Sequence, residues 1–206
     1  MPLVTPALRR LSAGTGSDTI VDASCGQCLA CEGGMSLWCR EPDELRARRY
    51  ADVPSEYGDT ILRSLETAVA LAHVPENSED SSPILVMGDS AEVVAAFARK
   101  VVQRDIVTVH ENPDAALRQR LASHHASGRA RVCASADSLR MAVRAVRRGG
   151  YACGATSAGP FASVTEVVQR EVSLVPARDV RRFGDAFTVA DWTDAITAAS
   201  RVHAAS

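Results

Sequence analysis

The sequence predicts an α/β protein, a doubly wound parallel sheet accompanied by a small cysteine-rich lobe. Three observations lead there. From residue 83 onward, short unbroken apolar runs alternate with amphipathic segments of helical period. A polar stretch, PENSEDSSP (Pro75–Pro83), separates that half from the part before it. Four of the six cysteines fall in one short stretch, CGQCLACEGGMSLWC, Cys25–Cys39. A parallel strand covered on both faces reads as a continuous apolar run, and strands alternating with helices through right-handed crossovers give the doubly wound sheet.

The elements follow in order. Within Met1–Ser24 only Thr19–Val21 reads as a strand, leading into the cysteines. Arg40–Asp59 is polar and charged and reads as a loop with some helix. Ile61–Val74 (ILRSLETAVALAHV) has apolar residues at helical spacing and predicts a buried helix. Pro75–Pro83 is a linker and the best internal boundary, dividing the chain into 1–75 and 83–206. PILVMG, Pro83–Gly88, predicts a buried parallel strand. Ser90 is placed to cap the next helix, Ala91–Gln103, whose apolar face includes Val93, Val94, Phe97 and Val101. A strand follows at Ile106–Val109, then a helix from Pro113, a favoured first residue. Arg131–Ala134 is a short strand, and Asp137–Arg148 is a helix closed by Gly149 and Gly150. Tyr151–Ala155 and Val172–Val175 are strands on either side of a helix at Val164–Arg170. Asp191–Val202 is a terminal helix anchored by Trp192.

Composition narrows the function classes. At 206 residues and 46% hydrophobic, the chain can build a substantial core, burying roughly 70% of its unfolded surface. A formal net charge of −2 argues against general attraction to nucleic acid or anionic membrane. No apolar run is long enough to span a bilayer, and MPLVTPALRRLSAG has no secretory apolar core. The default compartment is therefore the cytoplasm, where clustered cysteines are more often metal ligands or redox groups than disulfides.

The cysteine spacing is C-x2-C-x2-C-x7-C. Cys25, Cys28, Cys31 and Cys39 can surround one Zn²⁺ tetrahedrally, filling every position and leaving none for substrate. Zinc held this way staples a loop and does no catalysis. Such sites bind with roughly 10–16 kcal/mol in small zinc peptides, enough to order the lobe. A dithiol redox pair at Cys25/Cys28 or Cys28/Cys31 and an iron–sulfur cluster are the competing readings. A third and fourth thiol close by favour metal over the dithiol. A zinc-ribbon nucleic-acid surface is disfavoured, because the lobe lacks the basic and aromatic residues it needs. Cys133 and Cys153 lie in predicted strands and read as small core residues. Arg144, Arg147 and Arg148 read as a solvated helix face, and His124–His125 as a solvated pair near a helix end.

The pattern C-G-x-C-x2-C-x2-G-x4-C, Cys25 through Gly34 to Cys39, resembles the structural-zinc lobe of the medium-chain zinc-dependent alcohol dehydrogenases. The likeness continues through LVMGDSAEVVAAFARK, at the family's first Rossmann strand, glycine turn and helix. VTVHENPDAAL stands at its second strand, and LRMAVRAVRRGGYACGAT and REVSLVPA at later elements of its cofactor domain. SLETAVALAH is similar to the sorbitol-dehydrogenase segment in which a glutamate, here Glu66, lies near the catalytic zinc. The resemblance implies a Rossmann-like sheet over 83–206 and, in 1–75, a remnant of the catalytic domain carrying the structural zinc.

The same comparison shows what is absent. Only twenty-four residues precede Cys25, and they hold no histidine and no Gly-His-Glu motif, which supply catalytic-zinc ligands in that family. Glu66, with His73 seven residues on, does not make a three-ligand open site. The fingerprint G-x-G-x-x-G reads here Gly88-Asp89-Ser90-Ala91-Glu92-Val93. One glycine remains, and Asp89 and Glu92 place negative charge where a diphosphate would sit. His110, followed by Glu111, stands where the resemblance places the acid that binds the adenosine ribose. NAD(P) is therefore a doubtful cofactor, and no catalytic or cofactor-binding residues are assigned; Glu66, His73 and His110 are the only candidates. The expectation is a catalytically incomplete, dehydrogenase-like zinc protein, a pseudoenzyme working through protein contacts. The family dimerises through the edge of its sheet, so Tyr151–Ala155 and Val172–Val175 become the candidate edge strands for a homodimer or hetero-oligomer. The alternative is a minimal NAD(P)-dependent alcohol or carbonyl oxidoreductase, or a small-molecule enzyme using the open crevice.

Overall fold

The computed structural model describes residues 7–12, 14, 16–75, 81–111, 113–155 and 162–205. Three strands, β1 (Leu8–Ser12), β2 (Ser17–Asp22) and β3 (Arg48–Pro54), form an antiparallel sheet in that order. Between β2 and β3 lies the cysteine lobe, with the one-turn helix α1 (Leu29–Glu32) and short 3-10 turns at Ser36–Trp38 and Glu44–Arg46. Helix α2 (Gly58–Leu71) follows.

The main sheet contains β4 (Ile84–Met87), β5 (Ile106–Val109), β6 (Val132–Ser135), β7 (Tyr151–Gly154) and β8 (Ser173–Val175). Its order is β5-β4-β6-β7-β8, with every neighbouring pair parallel. Strand β7 is therefore interior, paired with β6 and β8, and is not the edge strand expected at Tyr151–Ala155, whereas β8 does lie at the edge. Its helices are α3 (Ala91–Val101), α4 (Ala115–Ala122), α5 (Leu139–Ala145) and α6 (Val164–Gln169), followed by α7 (Val180–Gly184) and α8 (Val189–Ala205).

Alternation along the strands divides the core into two layers. Ile84, Val86, Val132, Ala134 and Cys153 pack with Ile61 and Leu65 of α2, Phe97 of α3 and Trp192 of α8. Leu85, Met87, Cys133 and Ala152 point the other way, onto Leu121 of α4 and Ala142 and Val143 of α5. Both faces are therefore covered, which is why these strands have no polar alternation. Leu8, Ile20 and Val53 of the antiparallel sheet join the first layer. No helix among the described residues is long and apolar enough to cross a membrane.

Several elements differ from the sequence reading, each for a local reason. Arg40–Asp59 contains β3, and β1 precedes β2; their runs LRRLS and RRYADVP carry arginines because one face meets solvent. Helix α4 starts at Ala115, not Pro113, because the Asp114 side chain caps it by accepting from the Leu117 N–H at 2.7 Å. Helix α5 starts after Ser138 and ends at Ala145, where the Arg147 N–H turns away to the Ala130 carbonyl at 2.9 Å. Ser90 precedes α3, but its side chain makes no capping bond to that helix. Residues 76–80 of the expected linker lie outside the described residues. Trp192 is buried and packs edge-on to Phe97 at 5.1 Å between ring centroids, anchoring α8 on α3.

Candidate functional site

The lobe begins where β2 runs out. The Ala23 N–H bonds the Ala7 carbonyl, and the Asp43 N–H returns to the Ala23 carbonyl, so both ends of the lobe are tied to the sheet. Gly26 turns the chain after Cys25 with φ of +76°, a conformation that side chains disfavour. Cys28 stands at the N-cap of α1 and Cys31 inside it, so a single helical turn presents both sulfurs on one side. The 3-10 turn at Ser36–Trp38 then delivers Cys39 from the opposite direction.

The four sulfurs lie within 4.8 Å of one another. Cys28–Cys31, Cys28–Cys39 and Cys25–Cys31 are separated by 3.6, 3.9 and 4.0 Å. A metal with four sulfur bonds of about 2.3 Å sets tetrahedral sulfur–sulfur edges of about 3.8 Å. Disulfides would need sulfurs at about 2.05 Å. In a four-iron cluster each cysteine binds a different iron, which spreads the sulfurs beyond this spacing. The donor set therefore fits one four-coordinate ion.

Electrostatics point the same way. N–H groups of Arg40, then of Cys31, aim at the Cys28 sulfur and lower its thiol to about 6. Burial pushes Cys31 up to about 12 and raises Cys39. Four thiolates cannot crowd together unaided; a divalent cation bound here would supply the charge that lets them ionise together. Cys133 and Cys153 are fully buried in β6 and β7, where burial raises both thiols, and they play no part in this cluster.

The second region is the crevice at the strand C-termini. The chain leaves β4 for β5 on one side and returns to β6 on the other, so the loops after β4 and β6 part there. In doubly wound folds ligands bind at this switch point, with diphosphates on the helix N-terminus. Here Asp137, from the loop after β6, occupies that position. Its Oδ2 accepts the Ser90 backbone N–H at 2.9 Å and its Oδ1 accepts the Ser90 hydroxyl at 2.6 Å. The Ser135 hydroxyl, fully buried, accepts the N–H groups of Asp137 and Ser138 at 3.3 and 3.0 Å and braces the loop. Gly88, with φ of +105°, leaves room for the carboxylate; a Cβ there would run into Asp137 Oδ2.

The three residues singled out by sequence are not assembled into one cavity. His110 is exposed at the end of β5 and lines a groove of about 900 Å³ between α3 and α8, with Asp89, Glu92, Asp191 and Arg201. Glu66 is buried in α2 and does not line that groove. His73 bonds the Val69 carbonyl through Nδ1 at 2.8 Å and packs edge-on against Phe183, centroids 5.2 Å apart, as a structural histidine. Among the described residues, no second group of three or more His, Cys, Asp or Glu is close enough to hold a metal. The sequence puts Asp137 at the start of a helix and does not reveal its contact with Ser90. The one hint was the polar Ser135-x-Asp137-Ser138 run after a buried strand.

No family model matches the sequence, and no curated protein matches it either. Solved structures do. AibC is 12% identical, with 91% of this chain and 73% of AibC covered, at a TM-score of 0.51. Acetophenone reductase from Geotrichum candidum NBRC 4597, solved with NAD, is 14% identical, with 84% and 65% covered and a TM-score of 0.48. The cobalt- and zinc-bound thermostable alcohol dehydrogenase from Pyrobaculum aerophilum is 13% identical, with 89% and 67% covered and a TM-score of 0.44. The chain thus spans 65% of the acetophenone reductase chain. These are distant, partial matches, and what the likeness to AibC establishes is the fold.

Proposed function

We propose that this chain is a zinc-stapled, dehydrogenase-like scaffold that works through protein contacts and does not carry out classical zinc-dependent alcohol oxidation. In this reading 1–75 is the unit that carries the zinc lobe and 83–206 the Rossmann-like unit. Cys25, Cys28, Cys31 and Cys39 hold one Zn²⁺, which orders the lobe and has no open position for substrate. The observation that carries the reading is the Asp137 carboxylate on Ser90, an internal anion in the place a dinucleotide diphosphate would need. Asp89, next to Ser90 in the chain, and Glu92, in the first turn of α3 and paired with Arg99 at 3.9 Å, add further carboxylates at this helix end. Support for a partner role comes from β8, an edge strand whose Leu174 is 44% exposed. On the neighbouring α6, Val164 and Val168 are 80% and 67% exposed. A strand edge unpaired among the described residues, beside exposed apolar side chains, suits strand pairing with a second copy or a related chain.

The alternative, a minimal NAD(P)-dependent oxidoreductase, has in its favour the fold and the groove of about 900 Å³ beside His110. Titration with NADH and NADPH, followed by nicotinamide fluorescence, decides between them. The scaffold reading expects no saturation at low micromolar cofactor. Low-micromolar binding of either nucleotide favours the oxidoreductase and overturns the scaffold.

A further inference from the structure

On the face of the sheet opposite α3, a cavity of about 690 Å³ opens between α4 and α5. Arg118 of α4, Arg129 of the following loop, and Arg140 and Arg144 of α5 line it. Its floor is apolar and buried, formed by Leu85 and Met87 of β4 and by Leu121. The half-buried Met141 adds a further apolar wall. The volume falls in the range of small-molecule sites, roughly 300–1,000 Å³.

The charges do not cancel. Glu166 of α6 pairs with both Arg140, at 3.2 Å, and Arg144, at 2.6 Å. These two guanidiniums hold its carboxyl below the usual range, Arg144 most strongly. Arg129 and Arg170 converge instead on the Arg144 backbone carbonyl, each at 3.2 Å. Among the described residues no carboxylate pairs with Arg118 or Arg129. Four cations therefore surround an apolar floor with one carboxylate among them. Like charges gathered this way repel, and a bound anion removes the repulsion. Guanidinium forks match the oxygens of phosphate in paired hydrogen bonds.

We propose that this cavity binds a small organic phosphate monoester, its phosphate against Arg118 and Arg129 and its flat or apolar body over Leu85 and Met87. A dianion suits a site with three uncompensated positive charges better than a monocarboxylate does. The floor distinguishes an ester from bare phosphate. Its lining shares no residue with the groove between α3 and α8.

The test is calorimetric titration of the full chain with 4-nitrophenyl phosphate, inorganic phosphate and 4-nitrobenzoate. The expected result is saturable binding of the ester at one site per chain, about tenfold tighter than either of the others. Arg118→Gln should weaken it about tenfold without moving the melting temperature, since that side chain holds no ion pair among the described residues; Arg129→Gln, which also gives up the hydrogen bond to the Arg144 carbonyl, should weaken it about tenfold as well. No saturable binding of the ester overturns the proposal, as does binding that both variants leave unchanged. Equal or tighter binding of 4-nitrobenzoate overturns the phosphate assignment, and equal binding of inorganic phosphate overturns the role of the floor.

Discussion

Asp137 and Ser90, 47 residues apart, meet through two hydrogen bonds at the N-terminus of α3, one from the Ser90 N–H at 2.9 Å and one from its hydroxyl at 2.6 Å. A carboxylate at a helix N-terminus satisfies an otherwise unpaired donor and lies at the positive end of the helix dipole. This contact ties the β4–α3 turn to the β6–α5 turn across the switch point. The chain thus stabilises its own crevice with an internal anion.

Removing that anion is expected to cost stability. Asp137→Ala should lower the unfolding free energy by about 1–3 kcal/mol, measured by urea denaturation. Gly88→Ala should also destabilise, by its positive φ and by the collision of the new Cβ with Asp137. In the Asp137→Ala background the same glycine substitution should cost less, because the collision is gone while the backbone strain remains. Equal cost in both backgrounds would separate Gly88 from Asp137.

Cys31→Ser should release most of the zinc and loosen the lobe while the main sheet stays folded. Metal quantification and limited proteolysis within 25–39 provide the readout. A variant retaining full zinc and the same protease resistance would remove Cys31 from the ligand set. Chelation of the parent chain should reproduce the variant's proteolysis pattern, since metal binding and lobe folding are linked.

Helix α8 carries a pH-dependent cap. Asp191 accepts the Thr188 hydroxyl and backbone N–H, each at 2.6 Å, in a capping-box arrangement. The Thr188 hydroxyl, then its N–H, hold the Asp191 carboxyl below the usual range, with Lys100 adding a smaller attraction. A lowered carboxyl pKa gives stability that is complete above the unfolded value of about 3.9 and fades as pH falls through the folded value. Asp191→Ala should therefore cost about 0.5–2 kcal/mol at neutral pH. The gap between parent and variant should close below about pH 4. Denaturation midpoints of the two proteins across that range test it; a gap that persists at low pH would assign the effect to packing.

Phe97 is fully buried and meets Phe187 and Trp192 edge-on, both at 5.1 Å. Phe97→Ala should destabilise by about 3–5 kcal/mol. It should also shift the Trp192 emission to the red as the α3–α8 contact loosens. Loss of stability without that shift would place the damage elsewhere in the core.

The parallel strands were legible because burial on both faces forces continuous apolar runs such as Ile84–Met87. The strands β1 and β3 were not, because Arg9, Arg10, Arg48 and Arg49 on a half-solvated sheet look like loop residues. Helix ends slipped where a tertiary bond intervened, as when Arg147 turns to Ala130. The cysteine cluster could be read from spacing alone, since a one-turn helix and a tight turn are local devices. Asp137 on Ser90 and the arginine cavity were hidden, because each joins residues distant in sequence that only the sheet brings together. Arg144, which reads as part of a solvated face, lines that cavity.

The proposed metal content of the chain is one zinc, held by the four thiolates of Cys25, Cys28, Cys31 and Cys39. Zinc K-edge X-ray absorption on the purified chain, with metal quantification of the same sample, tests it most directly. The expected result is one zinc per chain with four sulfur neighbours at about 2.3 Å and no lighter ligand. Nitrogen or oxygen in the coordination shell, or a second zinc per chain, would contradict it.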